Sequence, residues 1–150
     1  MNKHEEYMML ALEEAKQAYI ENEVPIGAVI VKDGRVVARA HNQRETQQQA
    51  TAHAEILAIE KACSELKTWR LEGCVLYVTL EPCPMCGGAS VLSRLDGIVY
   101  GASDPKGGSF GSVFDYSIIQ GFNHYPWVKS GVLEEESTQI LKQFFEEKRK

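Results

Sequence analysis

Two short stretches of this chain carry residue types and spacings that can do chemistry. One is Thr51-Ala52-His53-Ala54-Glu55; the other is Glu81-Pro82-Cys83-Pro84-Met85-Cys86. An imidazole and two thiolates form a donor set suited to Zn²⁺. The spacing of Cys83 and Cys86 puts both sulfurs in the first turn of a helix, at its positive end, where the thiolate form is favoured. Three protein ligands leave one tetrahedral position for water, as catalytic zinc sites do, and the metal brings the pKa of that water toward about 7. Glu55 stands two residues beyond His53 and need not be a ligand. It is the candidate group to take the water's proton and deliver it elsewhere.

Other readings stand beside this one. A Cys-x-x-Cys pair alone also fits a thioredoxin-like redox centre, which would leave His53 and Glu55 without a job. A structural zinc module would need a fourth ligand, for which His41, His124, Cys63 and Cys74 are the remaining candidates. Cys63 and Cys74 also suit a plain role as small buried hydrophobes.

The elements that must position these groups alternate between helix and strand along the chain, which points to α/β. Residues 3–22 form a helix by the recurrence of Met8, Leu12, Ala15 and Tyr19, with Glu13, Glu14, Lys16 and Gln17 on the other side. Pro25 stops it. Residues 26–32 are a β run, Asp33-Gly34 a hairpin turn, and residues 35–40 the returning strand. A polar loop over 42–51 leads to a helix over 52–66 whose apolar side is Ile56, Ile59 and Ala62/Cys63. Residues 74–80 form a strand, a helix follows from about 81 to 94, and residues 97–101 form a short buried strand. After a Gly/Ser loop over 102–112, residues 113–120 give one or two helical turns. A last strand falls within 125–132 and a terminal helix spans 134–150. The hairpin pair is antiparallel and the later strands are expected as parallel crossovers, giving a mixed five-stranded sheet with helices on both faces. The functional crevice of such a sheet lies at the carboxyl ends of strands, where both helix starts converge.

The chain has 150 residues, 44% of them hydrophobic and 25% charged, enough for one domain with its own core. The longest apolar stretch, residues 26–31, is far short of a membrane span, and the polar N-terminus carries no signal-peptide core. A cytoplasmic protein is expected, with four cysteines kept as thiols. The net charge of −5 does not advertise nucleic-acid binding, although a local basic patch is compatible with it. Residues 142–150 supply such a patch, with Lys142, Lys148, Arg149 and Lys150 outnumbering Glu146 and Glu147. Of Phe144 and Phe145, one should pack on the core while the other, with Arg149, meets RNA by stacking and phosphate contact. A solvated helix end is the simpler alternative.

The pattern His53-Ala54-Glu55 followed by Pro82-Cys83-Pro84-Met85-Cys86 is similar to that of the zinc-dependent cytidine/deoxycytidylate deaminase superfamily. Within it, residues 23–28, 40–42, 51–55, 69–73, 76–86, 99–106 and 121–124 resemble the bacterial enzymes that convert the wobble adenosine of a tRNA anticodon to inosine. The resemblance implies a three-layer α/β/α sandwich, one Zn²⁺ per chain on His53, Cys83 and Cys86, and Glu55 as proton carrier. It implies hydrolytic deamination at C6 with release of ammonia, a tRNA anticodon loop with its target base splayed out as partner, and a homodimer. It also implies that Asn42 and Ile26 hold the base, that Asp104 and Lys106 meet ribose and phosphate, and that Asn123 and His124 contribute contacts. Each has an ordinary alternative: a turn for Asn42 and Asp104, the core for Ile26. Position 84 departs from the family pattern, which has an aliphatic residue where this chain has Pro84. A deaminase of free guanine or cytosine, or of their nucleosides, is the nearest different reading on the same fold.

Overall fold

The computed structural model describes residues 1–149; Lys150, placed above at the end of the terminal helix, lies outside the described residues. Helix α1 spans Lys3–Ile20 and opens on a capping box, in which Asn2 accepts from the Glu5 amide and Glu5 accepts from the Asn2 amide. Its buried face is Met8, Ala11, Leu12, Ala15 and Ala18. The alanines let it lie very close to strand β1 (Gly27–Lys32): a Cβ at Gly27 would stand 1.9 Å from the Ala11 carbonyl oxygen. Strand β2 (Arg35–His41) returns through Asp33 and Gly34, whose φ values of 50° and 75° suit the tight turn.

The segment expected as a polar loop contains a short helix, α2 (Arg44–Gln47). Helix α3 (Ala54–Leu66) begins at Ala54 because His53 is its extended N-cap. Its buried face is Ala54, Glu55, Ala58, Ile59 and Ala62, so Ile56 and Cys63 are only half-buried, against expectation. A stripe of alanines at four-residue spacing permits a closer approach to the sheet than isoleucines would. Strand β3 (Cys74–Leu80) leads to α4 (Pro84–Leu92), and β4 covers Gly97–Ala102. The 113–120 region holds a single 3-10 turn at Tyr116–Ile118, β5 shrinks to Trp127–Lys129, and α5 runs over Glu134–Lys148.

The sheet order is β2-β1-β3-β4-β5. Strands β3, β4 and β5 are parallel, as expected for crossovers. Strand β3 likewise runs parallel to β2, the strand it follows through α3, but the crossover lands beyond β1, so the hydrogen-bonded neighbour of β3 on that side is the antiparallel β1. Side chains alternate cleanly between the faces. Ala28, Ile30, Leu76, Val78, Ile98 and Tyr100 pack with Ala54, Ala58 and Ala62 of α3, while Val29, Val31, Tyr77 and Val99 pack with Met8 and Ala11 of α1. The result is the expected three-layer α/β/α sandwich of cytidine-deaminase type.

Candidate active site

Two helix starts meet at the carboxyl end of β3. His53 ends the loop before α3, and Cys83 caps α4 in an extended conformation (φ −72°, ψ 174°). Pro84 follows in the first turn of α4, where its missing N–H costs nothing, so the departure at this position is absorbed by the helix geometry. The His53 Nδ1 lies 3.6 Å from the Cys83 Sγ and 3.5 Å from the Cys86 Sγ. A metal at about 2.3 Å from sulfur and about 2.05 Å from nitrogen, at the tetrahedral angle, sets S and N about 3.6 Å apart. The donor trio is thus spaced for tetrahedral Zn²⁺, with its ligand atoms all within 4.8 Å of one another.

The protonation pattern agrees with a site built for a cation. A hydrogen bond from Cys86, aided by His53, holds the Cys83 thiol down at about 4 despite burial. The hydrogen bond to Cys83, followed by burial, pushes the Cys86 thiol up, and the bond to Cys83 raises the His53 imidazole. A bound metal would take the place of the shared protons. Glu55, on the first turn of α3, is 4% exposed, and burial raises its carboxyl to about 7 against the pull of its own amide and of His53. A carboxyl poised there both accepts and donates a proton near neutral pH.

Among the described residues this trio is the one cluster of its kind. The four candidates for a further ligand are occupied elsewhere. His41 bridges Glu14 and Glu21, each at 3.0 Å, and His124 contacts the Leu95 carbonyl oxygen at 2.5 Å. The Cys63 and Cys74 thiols point to the carbonyls of Trp69 and Glu72. None of the four is placed to complete the trio, and His53 stands within reach of both cysteine sulfurs.

A cavity of about 180 Å³ opens beside the trio, lined by His53, Glu55 and Cys83 and also by Ile26, Asn42 and Asp104. The structure thus brings six of the expected residues together. Asn42 is buried; its amide donates to the Val24 carbonyl at 3.3 Å and its oxygen accepts from the Arg44 amide at 3.2 Å. That fixes its orientation and leaves one N–H and one lone pair for a base edge. The Asp104 carboxylate accepts from the amides of Lys106 (3.1 Å) and Gly107 (3.2 Å), so it shapes a turn as well as lining the cavity. Lys106 is exposed beyond that turn.

Helix α5 extends toward the same end of the sheet. Its Ser137 abuts Gly101 near the end of β4, and Phe144 packs on Tyr19 near the end of α1, with ring centroids 5.6 Å apart. Phe144 is buried and Phe145 is 46% exposed, with Arg149 exposed a turn later. Within one chain neither Asn123 nor His124 lines the cavity, and His124 is held at Leu95, ahead of the amino end of β4. The connection into β5 has to return to that end to start a parallel strand.

Sequence reasoning missed Val24, Arg44, Leu80 and Glu81 on the cavity wall. The available signal was an acidic residue, Glu81, directly after an apolar strand and before proline. A larger, open groove of about 1060 Å³ lies between α1 and α5, remote from the trio.

A family model described as MafB19-like deaminase matches residues 2–149. The chain belongs to the MafB19-like deaminase family. It is 57% identical to the tRNA-specific adenosine deaminase of Bacillus subtilis (strain 168), over all of this chain and 93% of that one. It is 47% identical to the protein of the same description from Aquifex aeolicus (strain VF5), over 97% of this chain and 95% of the other. Among solved structures it is similar to a chain from work on A-to-I editing by tRNA:A34 deaminases at the wobble position of transfer RNA. That chain shows 48% identity and a TM-score of 0.88, over 91% of this chain and 99% of its own length. A guanine deaminase from Bacillus subtilis is also similar, at 41% identity and a TM-score of 0.65, but over only 69% of this chain and 66% of the other.

Proposed function

We propose that this chain hydrolytically deaminates adenosine to inosine at the wobble position of a tRNA anticodon, releasing ammonia. The observation that carries the reading is the buried Glu55 beside a tetrahedrally spaced His-Cys-Cys set, in a chain whose full length matches tRNA-specific adenosine deaminases. The free-base alternative is less well supported: the two tRNA-specific adenosine deaminases above match 100% and 97% of the chain at 57% and 47% identity, whereas a guanine deaminase from Nitrosomonas europaea that covers 93% of it is 25% identical and the 41% identical one covers 69%.

His53, Cys83 and Cys86 would hold one Zn²⁺, which when bound activates water for attack on a base that has left its stack. Glu55 accepts one proton of the attacking water and passes it to N1 of the ring; it then takes the second proton from the hydroxyl added at C6 and delivers it to the departing 6-amino group, so that the C6–N bond breaks with loss of ammonia. Ile26 offers an apolar wall for the purine face, and Asn42 offers its remaining N–H and lone pair to the ring edge. The cavity is smaller than the roughly 300–1,000 Å³ of drug-sized sites, which suits one base inserted from a longer chain. Asp104 on its wall and Lys106 two residues beyond would serve ribose and phosphate, and Phe145 and Arg149 on α5 flanking nucleotides. Asn123 and His124 would reach a substrate only through a second copy of the chain.

A homodimer fits the exposed Leu92 (71%) and Trp69 (57%), apolar groups available for cover by a partner subunit. No helix among the described residues is long and apolar enough to cross a membrane. The cytoplasmic assignment rests on the tRNA substrate and the thiolate ligands, both suited to a reducing interior.

The test is turnover of an anticodon stem-loop, free adenosine and free guanine side by side, with inosine read by mass spectrometry. Preference for the stem-loop supports the reading, and preference for guanine or a free nucleoside overturns it.

A further inference from the structure

Glu81 is the most unusual side chain near the site that the chemistry leaves unused. It is 2% exposed, at the end of β3, two residues before Cys83. Among the described residues no cation pairs with it. Its carboxylate is instead met by four neutral donors, all from the 103–112 loop. Oε1 accepts from the Asp104 amide at 3.0 Å and from the Ser112 hydroxyl; Oε2 accepts from the amides of Phe110 (3.0 Å) and Ser112 (3.2 Å). Gly108 passes so close that a Cβ there would lie 2.2 Å from the carboxyl carbon. A buried charge is tolerated only when its oxygens are satisfied, and here the loop wraps around the charge to satisfy them.

The same loop is tied to the next two residues. Ser109 donates its hydroxyl to the carbonyls of Pro82 (2.8 Å) and Cys83 (3.1 Å) and its amide to Pro82 (3.0 Å). The loop carries Asp104 onto the cavity wall and exposes Lys106 two residues on, yet contains no helix or strand of its own beyond an isolated bridge at Phe110. Its shape therefore depends on the Glu81-Pro82-Cys83 elbow.

We propose that Glu81 is a positioning residue for substrate. Its carboxylate fixes the 103–112 loop so that Asp104 and Lys106 meet the backbone of the inserted nucleotide already in place. The proposal rests on the polynucleotide reading above for what the loop contacts, and on geometry alone for what Glu81 holds.

Glu81→Gln keeps the shape but turns an amide N–H₂ toward backbone N–H donors. Gly108→Ala leaves the carboxylate intact and displaces it. The holoenzyme of each is compared with wild type for zinc content, for amide exchange of residues 103–112, and for KM and kcat on an anticodon stem-loop. Both variants should keep their zinc, exchange the loop amides at least about tenfold faster, and raise KM about tenfold with kcat within about threefold, the pattern of lost uniform binding. Unchanged exchange in Gly108→Ala, or a fall in kcat at constant KM, overturns the proposal; the latter would make Glu81 a participant in the chemistry. Should Glu81→Gln fail to fold, Gly108→Ala carries the same test. Should wild type leave the stem-loop untouched, the function reading fails by itself, and the exchange rates alone decide whether Glu81 holds the loop.

Discussion

His53, Cys83 and Cys86 are spaced as a metal requires before any metal is considered, and this makes the two cysteines directly testable. A methyl group cannot replace a thiolate, so Cys83→Ala and Cys86→Ala should each lose zinc and turnover together, whereas Cys63→Ala, whose thiol points to the Trp69 carbonyl, should retain a full complement. Elemental analysis of the three purified variants checks this. Glu55 is close to the donors without being needed to complete them. Glu55→Gln should keep its zinc and bind tRNA, yet turn over at least about 10²-fold more slowly, the usual scale of general acid–base catalysis. Zinc loss in that variant would make Glu55 a ligand rather than a proton carrier.

Short connections set the shape of the cavity as much as the long helices do. Helix α2 is held by a carboxylate from outside it: Glu23, 1% exposed, accepts from the Glu45 amide (3.1 Å) and from the Thr46 amide and hydroxyl (2.6 Å each). Burial pushes the Glu23 carboxyl up, but these hydrogen bonds outweigh it and leave the group below its ordinary range. Its stabilising contribution is therefore present above the unfolded value of about 4.3 and is lost as pH falls through the lowered folded value. Glu23→Gln should lower the thermal midpoint at neutral pH by an amount worth about 1–3 kcal/mol, and the gap to wild type should close below about pH 4. Melting curves across that range decide it, and a gap independent of pH would refute the account. At the other end of the same connection, Gly27 admits the backbone of α1. Gly27→Ala puts a methyl against the Ala11 carbonyl and should destabilise by about 1–3 kcal/mol or more, measurable by denaturant unfolding.

For the molecule as a whole, the difficulty is an acidic protein that engages RNA. A net charge of −5 repels a polyanion at a distance, so affinity must come from a local set of cations. Lys106, two residues beyond the cavity-lining Asp104, and the end of α5 lie on the same end of the sheet. Truncation after Glu147 removes Lys148, Arg149 and Lys150 and spares the packing of Phe144 on Tyr19. It should weaken stem-loop binding and reduce the slope of log affinity against log salt by about 2, since each lost phosphate contact releases fewer counterions. Zinc should remain at full occupancy. An unchanged slope would place the RNA-binding cations elsewhere on the surface.

Some of this was legible from residue order alone. The donor set and Glu55 could be named because metal chemistry restricts ligands to few residue types and helix starts favour fixed spacings. The β3 boundaries and the Asp33-Gly34 turn were equally plain, because a pleated strand and a tight turn each impose a local pattern. The helix 54–66 was located, but its buried face was misjudged, since depth depends on how near the sheet lies and alanine carries little hydrophobic signal. Pairing β3 with β1 rather than β2 depends on where a crossover lands, which no local pattern encodes. The duties of Glu23 and Glu81 were invisible for the same reason: their partners lie more than twenty residues away, and a carboxylate announces itself as a surface group until the fold surrounds it with donors. His124 shows the converse, a residue with useful chemistry that the fold places at the Leu95 carbonyl, outside the cavity. Residue types and spacing determined what chemistry was available; only the tertiary structure decided which groups share one cavity, because that depends on contacts between segments far apart in the chain.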